Sequence, residues 1–528
     1  MASKVFLKPN VSAEPLRHQW PAYSELVPPA VAAMHVGNAH IRLMRSFLSA
    51  PQVHVAALKD PKMLGGPFIN YGADRAGEIK ILLEQTLERQ AHVLELARAI
   101  TALDRILAAE ATGYTLEPLY EKVPEILQGF VELVYDLNNH PSIRLIEGLL
   151  YRSPLHDESL QTVALSLVHG DARTCLLSTP RLMEPGAVHL AIPFRSNKLD
   201  ALFAMRAVAQ PYEWIRDILG VRPEDAATFA SFFTETPPAR PAPHAGGLRV
   251  RYFGHACVCI EGAGATVLSD PLISYQYDSP IPRYTFADLP EKIDCVVITH
   301  NHSDHLVLET LLQIRHKVDT VIVPRSNGGA LADPSMKLLL ESVGFRKVVG
   351  LDELERVELA DGFVMGAPFL GEHADLDIRS KMAYAVRLAG KTTYLGADSN
   401  NLAPKMYAHV RDAVGPVDLQ FVGMECDGAP LSWGHGSLLT NPMPRKMDQS
   451  RRFDGSDCQK ALRMVEALGA SAVYVYAMAA EPWLAHILAT NYTDESRPIV
   501  EAKKFVEACR QSGRTAERLF GQRELLLS

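Results

Sequence analysis

Four side chains that can bind metal ions lie within the six-residue segment 300–305. His300 and His302 are two positions apart, so an extended backbone directs both imidazoles to the same side, where they can share one metal. Asp304 and His305 follow after the chain turns and can serve a second metal. The alternative is a chance polar cluster, but the segment follows an apolar predicted strand and precedes a predicted helix, the context that a metal-binding loop needs. The pattern therefore predicts a two-metal site.

The sequence divides at a segment rich in proline and glycine. Residues 237–247 contain four prolines and end in two glycines, which interrupt regular structure and predict a semi-stiff linker. We therefore predict two domains, residues 1–236 and residues 248–528. This division agrees with the length of 528 residues, which is too long for one ordinary hydrophobic core.

Helical spacing dominates the first predicted domain. Ile79, Leu83 and Leu87 recur every four residues, which is typical of an amphipathic helix. A second amphipathic stretch covers residues 120–137, and the block 187–193 looks more like a strand. We therefore predict a mainly helical α+β domain.

Short β-type runs separated by helical patterns dominate the second predicted domain. The predicted strands are residues 248–253, 257–261, 265–268, 295–299, 320–323, 383–388, 392–395, 419–422 and 472–476. Helical patterns fall between several of them, as at residues 306–316 and 458–468. Many strands interleaved with helices predict two sheets flanked by helices, an αββα sandwich of the α/β class.

Composition narrows the class of protein. The formal net charge of −8 argues against a general nucleic-acid binder, because such proteins are usually basic. No apolar run reaches membrane-spanning length and the N-terminal residues do not resemble a signal peptide, so we expect no membrane segment. The seven cysteines are scattered and form no Cys-x-x-Cys pair, which indicates reduced thiols and a cytoplasmic location.

The metal-binding segment carries a family resemblance. The pattern His-x-His-x-Asp-His after a strand is the signature of the metallo-β-lactamase superfamily, and residues 253–256 and 268–271 resemble that family's opening strands. The resemblance covers residues 248–528. It implies that Asp270 orients a ligand histidine and that Asp398, after a later predicted strand, bridges the two metals. The alternative for Asp398 is an aspartate that caps a turn or helix.

The sequence departs from the superfamily pattern in two places. The third ligand of the first metal is usually a histidine, whereas the corresponding segment here reads Glu372-His373. Either side chain could bind, but adjacent side chains diverge, so we expect only one to do so. The usual last histidine is missing, because Ala477 and Met478 follow the predicted strand 472–476. Three histidines could replace it, although each is also explained as an ordinary surface or core residue: His409, His435 and His486.

A closer resemblance spans most of the chain. The Glu372 substitution, the helical N-terminal domain and the loop 423–428 together resemble the diiron β-hydroxylases that include the enzyme of chloramphenicol biosynthesis. This resemblance implies six metal ligands: His300, His302, Asp304, His305, Glu372 and Asp398. It makes Glu372, rather than His373, the predicted ligand. It also implies that Glu425 is an acid near the metals, the alternative being a solvated loop glutamate.

The same resemblance implies an O₂-dependent diiron monooxygenase of antibiotic biosynthesis. Such an enzyme hydroxylates the β-carbon of an amino acid, for example the aromatic p-aminophenylalanine, tethered to a carrier domain of a nonribosomal peptide synthetase. It requires two Fe ions, O₂ and an external electron donor. The alternative is a dinuclear zinc hydrolase of the lactonase or phosphodiesterase type, with a bridging hydroxide as nucleophile. Ligand type alone leaves iron and zinc open.

Two segments are candidates for binding the substrate or its carrier. Residues 430–437 are apolar and interrupted by glycine, so they could line a substrate channel. Four basic residues follow in a predicted loop: Arg445, Lys446, Arg451 and Arg452. They form either a solvated charged loop or a docking surface for an acidic carrier protein, where charge mainly accelerates encounter. The N-terminal domain could dock the carrier or pair two chains into a homodimer.

Overall fold

The computed structural model describes residues 4–60, 63–239, 244 and 246–528. The predicted linker 237–247 lies partly outside the described residues, and the domain boundaries stay a prediction. Among the helices of the described part, none is both long enough and apolar enough to cross a lipid bilayer.

The first part of the chain combines a helical layer with small sheets. Its strands are β1 Lys4–Leu7, β2 Val11–Arg17, β3 Trp20–Pro21, β4 Val131–Tyr135, β5 Pro141–Leu145, β6 Gln161–Leu167, β7 Val188–Leu190, β8 Gln210–Pro211 and β9 Phe233–Thr234. Its α-helices are α1 Pro29–His35, α2 Ile41–Ser49, α3 Pro51–Ala57, α4 Ala76–Arg89, α5 Ala91–Glu110, α6 Glu147–Leu150, α7 Asn197–Ala204, α8 Tyr212–Leu219 and α9 Ala226–Ala230.

Helix α5 organises the helical layer. Its buried residues include Leu96, Ile100, Leu103 and Leu107, spaced three or four apart, and they pack in one core with residues of α1, α2 and α4. A π-helical turn, Val36–His40, joins α1 to α2. The prediction of a mainly helical α+β domain is therefore confirmed.

The prediction of a helix over residues 120–137 is wrong. Residues 120–137 contain the end of one 3₁₀ helix, Glu117–Lys122, the whole of another, Glu125–Leu127, and then strand β4. Pro124 lacks the backbone N–H that a continuing helix requires, and Gly129 adopts a positive φ of 78°. The apolar residues of this segment therefore lie in a chain that turns twice and then forms a strand, not in one amphipathic helix.

The second part of the chain contains two seven-stranded sheets with helices between their strands. Its strands are β10 Leu248–Gly254, β11 Cys257–Glu261, β12 Thr266–Ser269, β13 Ile293–Val297, β14 Val318–Pro324, β15 Val348–Leu351, β16 Arg356–Leu359, β17 Gly362–Ala367, β18 Ala383–Leu388, β19 Lys391–Leu395, β20 Leu419–Gly423, β21 Ala472–Tyr476, β22 Thr515–Arg518 and β23 Arg523–Leu527. Its α-helices are α10 Leu308–Ile314, α11 Met336–Ser342, α12 Pro404–Val414, α13 Leu431–His435, α14 Arg445–Ser450, α15 Cys458–Leu468, α16 Ala485–Leu488 and α17 Arg497–Gln511.

The two sheets share one arrangement. The first has the order β15-β14-β13-β12-β11-β10-β23, and the second β16-β17-β18-β19-β20-β21-β22. In each sheet, parallel pairing occupies one half and antiparallel pairing the other. Side chains such as Tyr384, Phe421 and Val258 fill the space between the sheets. This is the predicted αββα architecture.

Different layers cover the outer faces of the two sheets. Helices α12, α15 and α17 pack on the second sheet. On the first sheet, one continuous core joins Val296 and Leu311 to N-terminal residues such as Phe194 and Phe203. The N-terminal part of the chain therefore completes the outer layer of the first sheet, together with α10 and α11.

Candidate metal centre

The predicted metal-binding segment lies beyond the carboxyl end of β13. His300 forms an isolated bridge with Lys381, and the N–H groups of His305 and Leu306 then donate to His302 O, at 3.1 and 2.9 Å. This turn precedes α10, as the sequence predicts. The turn brings His305 back toward His300, and their ring centroids are 4.0 Å apart.

Three side chains converge at what we call the first metal position: His300, His302 and Glu372. His300 Nε2 lies 3.1 Å from His302 Nδ1, and His302 Nδ1 lies 3.2 Å from Glu372 Oε1. Glu372 comes from the connection between β17 and β18, where it adopts a φ of 63° directly after Gly371. The Nε2 atom of His302 is buried without a hydrogen-bond partner. Donor atoms converging in this way fit a metal ion.

Asp304 and His305 lie together at what we call the second metal position, and Asp398 lies between the two positions. Asp398 Oδ2 is 3.0 Å from His305 Nε2 and 3.7 Å from His300 Nε2. Its Oδ1 atom is buried without a hydrogen-bond partner. Asp304 Oδ2 is 3.5 Å from His305 Nε2. The structure therefore brings all six predicted ligands together, and the position of Asp398 suits a carboxylate that bridges two metals.

Asp270 holds His305 in place. It follows β12 and accepts hydrogen bonds from both the N–H and the hydroxyl of Thr299, each at 2.7 Å. Its Oδ2 atom lies 2.8 Å from His305 Nδ1. A carboxylate on the far nitrogen fixes the ring so that Nε2 faces the metals. This arrangement supports the orienting role that the resemblance implies.

His255 is a site residue to which the sequence pattern assigned no role. Its Nε2 atom lies 2.9 Å from Asp304 Oδ2, and its Nδ1 atom accepts a hydrogen bond from the Ala479 N–H at 3.2 Å. A neutral imidazole that accepts at Nδ1 carries its proton at Nε2. His255 therefore donates to Asp304 and orients it, and His255, Asp304 and His305 also form one of the groups able to hold a metal.

Ala479 occupies the region where the superfamily usually has its last histidine. Residues 477–479 after β21 carry no donor side chain. Within the described chain, none of the side-chain groups that could hold a metal includes the three histidines considered as replacements: His409, His435 and His486. His435 instead packs against Phe453, with ring centroids 5.5 Å apart.

His373 lies as close to the site as its neighbour Glu372. Its Nδ1 atom is 2.9 Å from Glu372 Oε2, and its ring stacks on His302 with a centroid distance of 4.6 Å. His300, His302, Glu372 and His373 together form one of the groups able to hold a metal. The choice of Glu372 over His373 therefore stays a prediction.

Close packing of carboxylates and imidazoles shifts the pKa values of the side chains in the site. Burial favours the neutral form of Glu372, but His302 and His373 lower its pKa to about 2. Burial, together with Glu372 and Asp304, raises the pKa of Asp398. Buried carboxylates packed this closely need compensating positive charge. Two divalent cations would supply that charge.

Two further glutamates approach the metal centre. Glu425 follows β20, is half-buried, and accepts a hydrogen bond from the Tyr492 hydroxyl at 3.1 Å. Burial and the carboxylates of Asp398 and Asp304 raise the pKa of Glu425 to about 8. Glu25 comes from the N-terminal domain. Burial raises its pKa, as does Asp304 to a smaller degree, while His302 lowers it.

Glu25 is held against the metal-binding loop by its neighbour. The Ser24 hydroxyl donates to Asn301 O and lies 2.7 Å from Glu25 Oε2. Its position results from the docking of the two domains, so no local sequence signal marks it. Because of this contact, both halves of the chain border the site.

Comparison with known proteins identifies the family. The model of the diiron non-heme β-hydroxylase N-terminal domain matches residues 6–237, and that of the β-lactamase superfamily domain matches residues 249–378. The chain is 40% identical over 530 residues to the 4-amino-L-phenylalanyl-[CmlP-peptidyl-carrier-protein] 3-hydroxylase of Streptomyces venezuelae, covering 99% of each chain. The chain belongs to the diiron non-heme β-hydroxylase family.

Similarity to solved structures supports this membership. The crystal structure of CmlA, a diiron β-hydroxylase from Streptomyces venezuelae, superposes with a TM-score of 0.93 at 38% identity and covers 100% of both chains. A metal-dependent hydrolase of Hyperthermus butylicus is 39% identical over only 57 residues, 11% of this chain and 23% of its own. The predicted family, fold, enzyme class and diiron cofactor are therefore confirmed, and the zinc-hydrolase alternative is not favoured.

Proposed function

We propose that this diiron β-hydroxylase acts on an amino acid held as a thioester on a peptidyl carrier domain of a nonribosomal peptide synthetase. The observation that carries the proposal is the 40% identity along the whole chain to a hydroxylase whose named substrate is 4-amino-L-phenylalanine on a carrier protein. Such end-to-end similarity includes the N-terminal domain, which is larger than metal binding alone requires. We therefore propose an aromatic aminoacyl group as the substrate class.

The six converging side chains divide between two irons. We propose that His300, His302 and Glu372 hold one iron, that Asp304 and His305 hold the other, and that Asp398 is shared. When bound, the iron pair supplies the redox chemistry for O₂ activation. Hydroxylation places one oxygen atom in the C–H bond and converts the other to water, which consumes two protons and two electrons from an external donor.

Glu425 is the proposed source of a proton near the metals. Its Oε1 atom accepts from Tyr492, so the proton of the neutral carboxyl group resides on Oε2. In the metal-free protein, burial and the carboxylates of Asp398 and Asp304 raise the pKa of this group to about 8, which favours its protonated form. The role stays a proposal, as does that of the six ligands.

The carrier-docking surface is proposed to include Arg445 and Lys446, which are exposed in α14. Arg451 is less suited to this role because its Nε–H donates to Ala374 O at 2.8 Å, close to the first metal position. Arg452 lies 3.5 Å from Asp427.

A homodimer formed through the N-terminal domain also stays a proposal, which light scattering can test.

Single turnover tests the proposed function. Enzyme loaded with two irons per chain is reduced chemically, mixed with O₂, and given 4-aminophenylalanine either on its carrier protein or free. We expect β-hydroxylation of the loaded form and little of the free form, because remote binding energy orients the reacting carbon. A stoichiometric zinc pair without iron-supported turnover would refute the oxygenase, and equal rates would refute the carrier requirement.

A further inference from the structure

We infer that a cavity of about 690 Å³ between the two domains receives the pantetheine arm of the carrier-bound substrate. The inference rests on the proposed function and adds the place where the arm of the substrate binds. The N-terminal domain contributes Leu58, Leu64 and Asn70 to the cavity wall, and the C-terminal domain contributes residues such as Ala485 and Tyr492.

The size and lining of the cavity suit such an arm. Ligand-binding cavities typically measure roughly 300–1,000 Å³, whereas other cavities of the described structure measure about 30, 20 and 10 Å³. Pantetheine is a long, slender chain with two amide groups and a hydroxyl group. Asn70, Thr490 and Asn491 offer hydrogen-bonding groups in the cavity wall, and Leu58 and Leu64 offer apolar contact.

Two contacts connect the cavity wall to the metal centre. The hydroxyl of Tyr492, a residue of the wall, donates to Glu425 at 3.1 Å. The N–H of Ala479, another wall residue, donates to His255, and His255 in turn lies 2.9 Å from the ligand Asp304. One intervening side chain thus separates the cavity wall from the ligands of the second metal position. The cavity therefore lies against the side chains that support the second metal position, although none of the six proposed ligands lines it.

A cysteine in the cavity wall allows a test that needs no turnover. Cys175 is a half-buried free thiol lining the cavity, and Cys458 is a half-buried free thiol that is not among the lining residues. The probe is aminopantetheine carrying a bromoacetyl group, and bromoacetamide is the control reagent. The Cys175 sulfur attacks the CH₂ carbon, a C–S bond forms, bromide leaves, and the thiol proton passes to the buffer.

The readout is the ratio of Cys175 to Cys458 modification, measured by peptide mass spectrometry of the iron-loaded protein. We expect this ratio to be at least about tenfold higher with the pantetheine probe than with bromoacetamide, because binding raises the local concentration. Equal ratios would overturn the inference. Because labelling requires no hydroxylation, a protein that is labelled selectively but does not hydroxylate would contradict the proposed function alone.

A bulky substitution gives a second, independent test. Ala485 is exposed to the cavity, so Ala485→Trp fills the space at little cost to folding, and Ala109→Trp on the exposed side of α5 is the matched control. We expect Ala485→Trp to slow single turnover of the carrier-loaded substrate at least about tenfold with unchanged iron content, since the arm must be displaced. An unchanged rate in Ala485→Trp would overturn the inference.

Discussion

Glu372 and His373 are adjacent, and both lie beside the first metal position. Glu372 is 3.2 Å from His302 Nδ1, whereas the His373 ring stacks flat on the His302 ring. His373 Nδ1 nevertheless lies 2.9 Å from Glu372 Oε2, so both side chains offer a donor atom at the same position. Substitution of each residue can separate the two assignments.

We predict that Glu372→Ala loses about one iron per chain, whereas His373→Ala keeps both. The reason is that removal of a ligand opens the coordination of one metal, while removal of a packing ring does not. Iron is measured by elemental analysis and Mössbauer spectroscopy, with circular dichroism as the control for folding. Loss of iron in His373→Ala, but not in Glu372→Ala, would instead identify His373 as the ligand.

His255→Leu should weaken metal binding at the second position by about 10–100-fold, the usual cost of losing a group that orients a ligand. The cause is loss of the hydrogen bond to Asp304. Competition with a metal chelator measures the affinity. His255→Gln keeps a donor group and should recover part of it, while equal affinity in all three proteins would show that Asp304 needs no such support.

The protonation of Glu425 should make the stability of the metal-free protein depend on pH. Its pKa rises from 4.5 to about 8 on folding, so the folded state holds a proton that the unfolded state releases between these values. The contribution of Glu425 to folding stability is therefore fully present below pH 4.5 and declines as pH rises, by about 1.4 kcal/mol for each pH unit in this window. Glu425→Gln should remove this decline in chemical denaturation, and an unchanged pH dependence would contradict the assignment.

At the scale of elements, the turn that contains Gly371 determines where Glu372 points. Gly371 adopts a φ of 71°, and a Cβ atom added there would lie 2.6 Å from Asn400 Cβ. Gly390, in the hairpin between β18 and β19, has a similar φ of 74° with nothing within 4 Å. An alanine at either position would therefore have a strained backbone, but only an alanine at position 371 would also clash with a neighbouring side chain.

We predict that Gly371→Ala lowers iron content at the first position and costs more stability than Gly390→Ala. Left-handed backbone costs about 1–2 kcal/mol for alanine at either position, and Gly371→Ala adds the clash with Asn400. Thermal unfolding and elemental analysis give the two readouts. If the two variants behave alike, the close approach to Asn400 is not what directs Glu372.

The strands that sequence reasoning missed share one property. Nine predicted runs correspond to strands β10 to β14 and β18 to β21, whereas β15, β16, β22 and β23 are the four outermost strands of the two sheets. Edge strands are partly exposed, so their apolar alternation is weak, as in the exposed positions of Arg356–Leu359. The fifth missed strand, β17, lies next to an edge.

At the scale of the whole molecule, the N-terminal domain is part of the core rather than an attachment. Phe194 and Phe203 pack in the same cluster as Val296 and Leu311 of the first sheet. The Arg315 guanidinium also donates to Phe194 O at 2.6 Å. We therefore predict that residues 248–528 produced alone aggregate, because the outer face of the first sheet is left uncovered.

Co-expression provides the control for that prediction. Residues 1–236 supplied as a separate chain should cover the same face and restore soluble, iron-binding protein. Size-exclusion chromatography and iron analysis report the outcome. A soluble, metal-loaded fragment 248–528 on its own would show that the shared core is not essential.

The local sequence determined the metal-binding loop and the interior strands. Four ligands lie within residues 300–305 after a buried strand, so spacing and context suffice to predict them. The positions of Glu372 and Asp398 relative to that loop depend on strand order, because Asp398 meets His305 across 93 residues. Their assignment from sequence relied on the family resemblance.

Only the tertiary structure revealed the roles of His255, Glu25 and the cavity between the domains. His255 reaches Asp304 across 49 residues, and Ser24, the neighbour of Glu25, reaches Asn301 of the loop across 277 residues. The cavity is bounded by side chains from both domains, none of which forms a pattern along the chain. Such features arise where distant surfaces pack together, and local periodicity carries no information about that packing.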